Sequence, residues 1–226
     1  HSRPAKKKTV QLKERVAQEV KSSDLAKTLT PKFPLGCRRI LLSDDYYPAL
    51  QRDNVALETA PIERLDSNSL VTDDGVHHYV DCLVAATGFH SHDFLPGVEV
   101  TGLGNANLHK EWENKGGPEA YLGITVSGFP NLFFLYGPNT NLGHSSIIFM
   151  IECQVHYILK VIGLLNIKGG KTIEITHNSM EEFNQAIQKK LKRTAWAGSC
   201  NSWYKSARGK IINNWSTHTV GYWLRT

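Results

Sequence analysis

Cysteine is scarce and scattered. The four residues, Cys37, Cys82, Cys153 and Cys200, form no C-x-x-C or C-x-x-x-x-C pair. That spacing excludes a zinc knuckle, a redox dithiol motif and a small disulfide scaffold, so reduced thiols in a cytoplasmic protein are expected. No G-x-S-x-G elbow is present, which removes the commonest serine-hydrolase arrangement. No G-x-G-x-x-G turn occurs either. Gly102-Leu103-Gly104 is followed by Asn107 where a third glycine would stand. A phosphate cradle is thus absent from the 226 residues.

Long hydrophobic runs are also missing. The most apolar stretch, 147–165, is interrupted by Glu152, Gln154, His156 and Lys160, and is expected to be too polar to span a bilayer. No apolar core of a signal peptide stands near His1. The net charge of +5 is mild, and Lys6-Lys7-Lys8 beside Arg3 reads as a solvated terminus rather than a nucleic-acid patch. Histidines come in small groups. His90, His92 and Asp93 are too close along one loop, without a distant fourth ligand, to argue for a metal, and His77-His78 is expected on the surface.

What remains is a globular composition, 41% hydrophobic and 21% charged. The spacing predicts a helical segment over 9–29, with Val16 and Val20, then Leu25 and Leu29, four apart, and Ser23 or Asp24 capping a second short helix. Strands are expected at 39–42, 54–57, 82–86, 132–135 and 172–176, and a turn at Tyr46-Tyr47-Pro48. Leu70, Thr72, Val76, His78 and Val80 alternate around Asp74-Gly75, a hairpin pattern. The run 82–86 is continuously apolar, as in a parallel strand buried on both faces. Residues 90–128 read mostly as ordered loop. A long helix is expected from Ser145 or Ser146, with Ile148, Ile151, Val155, Leu159 and Ile162 on its core face. A capping box at Ser179–Glu182 opens a last helix that ends among Lys189, Lys190, Lys192 and Arg193.

Two elements could carry chemistry. An apolar run ending in Ala86-Thr87-Gly88-Phe89 places small residues where a ligand can approach the backbone. A second run passes through Gly137-Pro138-Asn139-Thr140-Asn141-Leu142-Gly143-His144 into the long helix, whose free N–H groups favour an anion.

In order along the chain, D-x-L-V-x-A-T-G-F, G-F-P-N-L-F, G-P-N-T and L-G-H-S-S resemble the C-terminal FAD-binding portion of flavin-containing monooxygenases. The segment P-K-F-P-L-G-C-R-R-I-L-L-S-D-D-Y-Y-P-A-L, W-E-N-K-G-G-P-E-A-Y-L-G-I-T-V and the late C-N-S-W-Y look like the Baeyer–Villiger type of that family. The resemblance implies an α/β fold, part of a two-dinucleotide-binding-domain flavoprotein. Residues 1–78 would come from the end of the NADP-binding domain and 79–226 from the C-terminal part of the FAD-binding domain.

It further implies FAD and NADP as cofactors, and O2 and a small organic molecule as substrates. A flavin C4a-peroxide would transfer one oxygen atom to a ketone or to a soft nitrogen or sulfur centre. By the same resemblance Arg39 stabilises that peroxide and Arg38 meets the 2′-phosphate of NADP. Thr87, Gly88 and Phe89 line the FAD, Gly137, Asn141 and Leu142 approach its ring system, and Trp203 lies near the NADP ribose. The two glycine-rich turns of the family belong upstream, so an N-terminal part of the same protein is expected. The alternative is an inactive fragment or partner-binding module of the same family.

Overall fold

The computed structural model describes residues 3–90, 93–143, 145–198, 200 and 202–226, with the side chains of 3–7 left out. Contacts divide the chain into two compact units. One holds 1–11, 31–41 and 91–226, the other 12–30 and 42–90.

The second unit is built on a three-stranded antiparallel sheet, β1 (Ile62–Leu65), β2 (Ser69–Thr72) and β3 (His77–Tyr79), in the order β1-β2-β3. The expected hairpin is β2–β3. Gly75 takes φ 82° and donates its N–H to the Thr72 carbonyl at 2.9 Å, while Asp74 accepts from the Thr72 hydroxyl at 2.6 Å. A left-handed glycine and a short acceptor side chain close the turn without strain.

α1 (Arg3–Glu19) and α2 (Ser23–Leu29) divide the helical segment. The cap of α2 is Ser22, which accepts from Leu25 N, and not Ser23 or Asp24. Tyr46-Tyr47-Pro48 is a helical turn, α3 (Tyr46–Ala49), because proline at the third position still lies where no N–H is needed. His77 is exposed and His78 half-buried.

The first unit packs short helices and ordered loops around two apolar clusters. Leu122, Ile124, Met150, Cys153, Ile187, Leu191, Trp215 and Tyr222 belong to one. Leu108, Trp112, Val126, Phe129, Phe134 and Met180 belong to the other. Within the stretch expected to be loop, α4 (Leu108–Asn114) forms because Asn107 caps it, accepting from Lys110 N at 3.1 Å.

The long helix is α5 (Ile147–Ile167), capped by Ser146 as expected. Its buried side is the other one: Met150, Cys153 and Gln154 face the core, whereas Ile148 and Leu159 are more than 60% exposed. The helix is apolar nearly all round, so periodicity alone could not pick the face. By length and composition it is also apolar enough to cross a membrane, since only Glu152 and Lys160 are charged. α6 (His177–Leu191) starts two residues before Ser179, because Thr176 is the cap, accepting from Ser179 N at 3.3 Å. Met180, Asn184, Ile187 and Leu191 form its buried stripe. α7 (Thr219–Trp223) packs on α5.

The segments 39–42, 54–57, 82–86, 132–135 and 172–176 carry no regular strand. Leu42 is 96% and Val84 81% exposed, against the burial expected of parallel strands. A strand needs a ladder of paired neighbours, and these segments form none among the described residues; 132–135 has a single backbone bond to another segment, from Phe134 N to the Ile124 carbonyl. The segment 171–173 is held otherwise, by Asn131. That residue, at φ 61°, exchanges bonds of 3.0 Å with both polar groups of Ile173 and donates to the Lys171 carbonyl. The asparagine of G-F-P-N-L-F therefore does structural work.

A further correction concerns the thiols. Cys37 and Cys200 are bonded to each other, and only Cys82 and Cys153 are free. A separation of 163 residues hid the pair, because only the fold brings the two together.

Candidate functional site

The tandem arginines follow a turn that the sequence dictates. Pro34-Leu35-Gly36-Cys37 closes with Cys37 N donating to the Pro34 carbonyl at 3.1 Å, and Gly36 at φ 84° supplies the left-handed position that a type II turn requires. Cys37 is buried, and Arg38 and Arg39 emerge exposed just beyond it. The Arg38 guanidinium lies 4.6 Å from the centre of the Phe33 ring, a cation–π contact. Arg39 has no carboxylate partner among the described residues. Its charge acts instead on Tyr136 and Tyr204. Burial pushes both phenols above their usual range, and Arg39 pulls both back.

The loop before α5 is shaped by its own polar groups. Tyr136 and Asn139 sit at φ 58° and 59°. A left-handed tyrosine costs about 1–2 kcal/mol and must be held from outside. Its backbone N–H donates to the wholly buried Gln154 Oε1 at 2.9 Å, and Gln154 Nε2 donates to the Tyr222 hydroxyl at 3.0 Å. Tyr222 in turn donates to the Leu122 carbonyl at 2.6 Å.

The tyrosine's own hydroxyl donates to Asn141 Oδ1 at 2.9 Å, and Asn141 Nδ2 donates to Asn214 Oδ1 at 2.8 Å. Segments 139–141 and 211–215 run side by side, joined by Asn139 N to the Ile212 carbonyl, Asn141 N to the Asn213 carbonyl, and Trp215 N to the Asn141 carbonyl.

The predicted site residues divide between the two units. Arg38, Arg39, Gly137, Asn141, Leu142 and Trp203 belong to the first, Thr87, Gly88 and Phe89 to the second. Trp203 is half-buried with its ring 4.6 Å from that of Tyr204, the second phenol under Arg39. Leu142 is buried in the core cluster. Gly137 is explained by packing, since a Cβ there would stand 2.3 Å from the Gly123 carbonyl oxygen. Gly88, at φ 83°, has open space where a side chain would be, and Phe89 is 99% exposed.

His144, Ser91 and His92 lie outside the described residues. A separate cleft of about 800 Å³, lined by Phe94, Trp112, Glu113 and Arg208, contains none of the predicted residues. Sequence reasoning missed Tyr136, Tyr204, Gln154 and Asn214. The one available signal was Gln154, a polar residue interrupting an apolar helix.

No family model matches the chain. Over 88% of its length it is 43% identical to the FAD-binding monooxygenase ktnD of Aspergillus niger, and over 84% it is 40% identical to a Baeyer–Villiger monooxygenase of Pseudomonas aeruginosa. The chain belongs to the Baeyer–Villiger type of flavin-containing monooxygenases. It spans about a third of the length of these curated relatives, 33% and 36%. A solved steroid monooxygenase bound to NADP superposes with a TM-score of 0.86 at 28% identity, covering 98% of this chain and 42% of the other. OTEMO in complex with FAD and NADP gives 0.87 at 26% identity, covering 100% and 42%. These Baeyer–Villiger matches carry the expected fold class, part of a two-dinucleotide-binding α/β flavoprotein, although the strands expected within it do not pair here.

Proposed function

We propose that this chain supplies the arginine-bearing half of the oxygenation site of an FAD- and NADPH-dependent monooxygenase, acting on a ketone or a soft nitrogen or sulfur centre. The observation that carries this reading is Arg39: an exposed guanidinium without a carboxylate partner among the described residues, acting on two phenols beside the loop that feeds α5. The chemistry of the donor set fits an electron-rich, partly anionic ring. α5 has no acidic residue in its first turn, so its amide dipoles favour negative charge by about 0.3–1 kcal/mol. Gly143, just before that helix, has open space where a Cβ would stand.

When bound, FAD reduced by NADPH would supply the redox chemistry that activates O2 for transfer of one atom to the substrate. Thr87, Gly88, Phe89, Gly137, Asn141 and Leu142 would line the flavin. Arg39 would set its planar fork of guanidinium donors where negative charge develops on oxygen. Arg38 would pair with the 2′-phosphate of NADP, and Trp203 would cover the ribose.

The remainder of the protein, expected on the N-terminal side, would supply both glycine cradles and the ladder partners of 39–42 and 82–86. The exposure of Leu41, Leu42, Val84 and Phe89 supports this. Residues 1–78 are assigned to the NADP-binding domain and 79–226 to the FAD-binding domain, although the second compact unit runs on to His90. A cytoplasmic setting suits a consumer of NADPH.

The test is Arg39→Ala in the full-length protein. Flavin should stay bound while oxygenation falls about 10²- to 10³-fold, as on removal of one donor from an oxyanion site. Unchanged product formation removes Arg39 from the mechanism.

A further inference from the structure

We propose that Tyr136 is a positioning residue of this oxygenation site, its hydroxyl tying Asn141 to the field of Arg39 and Gln154 fixing its backbone from below. The inference rests on the monooxygenase reading and adds a residue to it. A left-handed backbone is costly for a tyrosine, and a glycine or asparagine would occupy it more easily. Here the conformation is over-determined. Gln154 is fully buried, and both ends of its amide are used, Oε1 on Tyr136 N and Nε2 on the Tyr222 hydroxyl. Only one end of that strut reaches the loop; the other ends on the Leu122 carbonyl through Tyr222.

What the strut presents is a polar group. The Tyr136 side chain is 44% exposed, so core packing does not account for it. Its hydroxyl proton goes to Asn141 Oδ1, which leaves the phenol oxygen's lone pairs available to accept. Arg39, a donor with no competing carboxylate among the described residues, is the cation whose charge reaches that oxygen. Asn141 is fixed on its far side by Asn214, 1% exposed. The order is therefore cation, phenol, amide, buried amide. Moving the phenol moves the asparagine that the monooxygenase reading sets against the flavin ring.

The experiment uses the full-length protein loaded with FAD, with NADPH and O2 as the only reactants. Without organic substrate the balanced reaction is NADPH + H⁺ + O2 → NADP⁺ + H2O2. Tyr136→Phe keeps the ring and removes the hydroxyl. It should retain FAD and its melting temperature, shift the absorption spectrum of the bound oxidised flavin, and change the rate of hydrogen peroxide release about ten-fold, the effect of one lost hydrogen bond near a charge. Gln154→Leu, which removes the acceptor of the Tyr136 amide, should reproduce the spectral shift.

A Tyr136→Phe protein with the wild-type spectrum and peroxide rate overturns the proposal. So does a Tyr136→Phe protein that fails to fold, because a half-exposed hydroxyl with a positioning role alone should cost the fold little. Failure of the wild-type full-length protein to bind FAD would instead sink the monooxygenase reading itself.

Discussion

Gly137 and Gly123 cross backbone against backbone: a Cβ on Gly137 would fall 2.3 Å from the Gly123 carbonyl oxygen, and one on Gly123 would fall 2.1 Å from Thr140 Cγ2. The crossing pins the loop that carries Tyr136 and Asn141. Gly137→Ala should destabilise the fold by about 1–3 kcal/mol through overpacking. Gly123→Ala should cost at least as much, because φ 69° adds backbone strain. Urea unfolding checks both, and an unmoved midpoint for either would show that the loop has room to give.

The Cys37–Cys200 bond closes most of the first unit into a ring. Reduction, or Cys200→Ser, should lower stability by about 2–5 kcal/mol, since the open chain regains loop entropy on unfolding. Thermal melts with and without a phosphine reductant, alongside thiol titration, measure this. Equal melting points would mean that the two cysteines stand close without mattering to the fold.

Lys210 is paired with Glu119 at 2.5 Å, with both side chains under 15% exposed, and also donates to the Lys115 and Gly117 carbonyls. Burial lowers the Lys210 pKa, the carboxylate opposing this. Glu119→Gln should cost about 3–5 kcal/mol by leaving a buried ammonium without its counter-charge. The sign of the pH effect follows. The folded chain holds its Lys210 proton less tightly than the unfolded one, so this group adds stability as pH rises toward 10.5. In Glu119→Gln the rise should begin at lower pH. A flat or falling stability across that alkaline range, in a Lys210-dependent comparison, would contradict the assignment.

The 226-residue chain by itself should neither retain FAD nor oxidise NADPH, because it contains no G-x-G-x-x-G cradle. Purification from a flavin-rich host and an absorbance scan decide the matter. A yellow protein would show that the cradle is dispensable here.

The sequence made some of this legible. Asp74-Gly75 and the serine before α5 are local signals, set by φ preference and side-chain capping, and both appear where the residues put them. The motifs single out Arg39, Asn141 and Trp203 but divide them between two domains at residue 78, whereas all three belong to one compact unit. Apolarity suggests strands at 82–86 and 132–135, yet a strand is completed only by a neighbour, and apolarity does not say where that neighbour lies. Sequence does not separate the exposed side of α5 from its core side, because leucine and isoleucine surround the helix. Gln154 and Asn214 stayed hidden, since their worth lies in partners distant along the chain.

Tyr222 lies in the last helix, close to Thr226, yet its hydroxyl is the far anchor of the strut under Tyr136. Trimming the tail is therefore an edit to the loop before α5. A protein clipped before α7 would keep every residue assigned to oxygen chemistry and lose the brace that holds one of them in its costly pose.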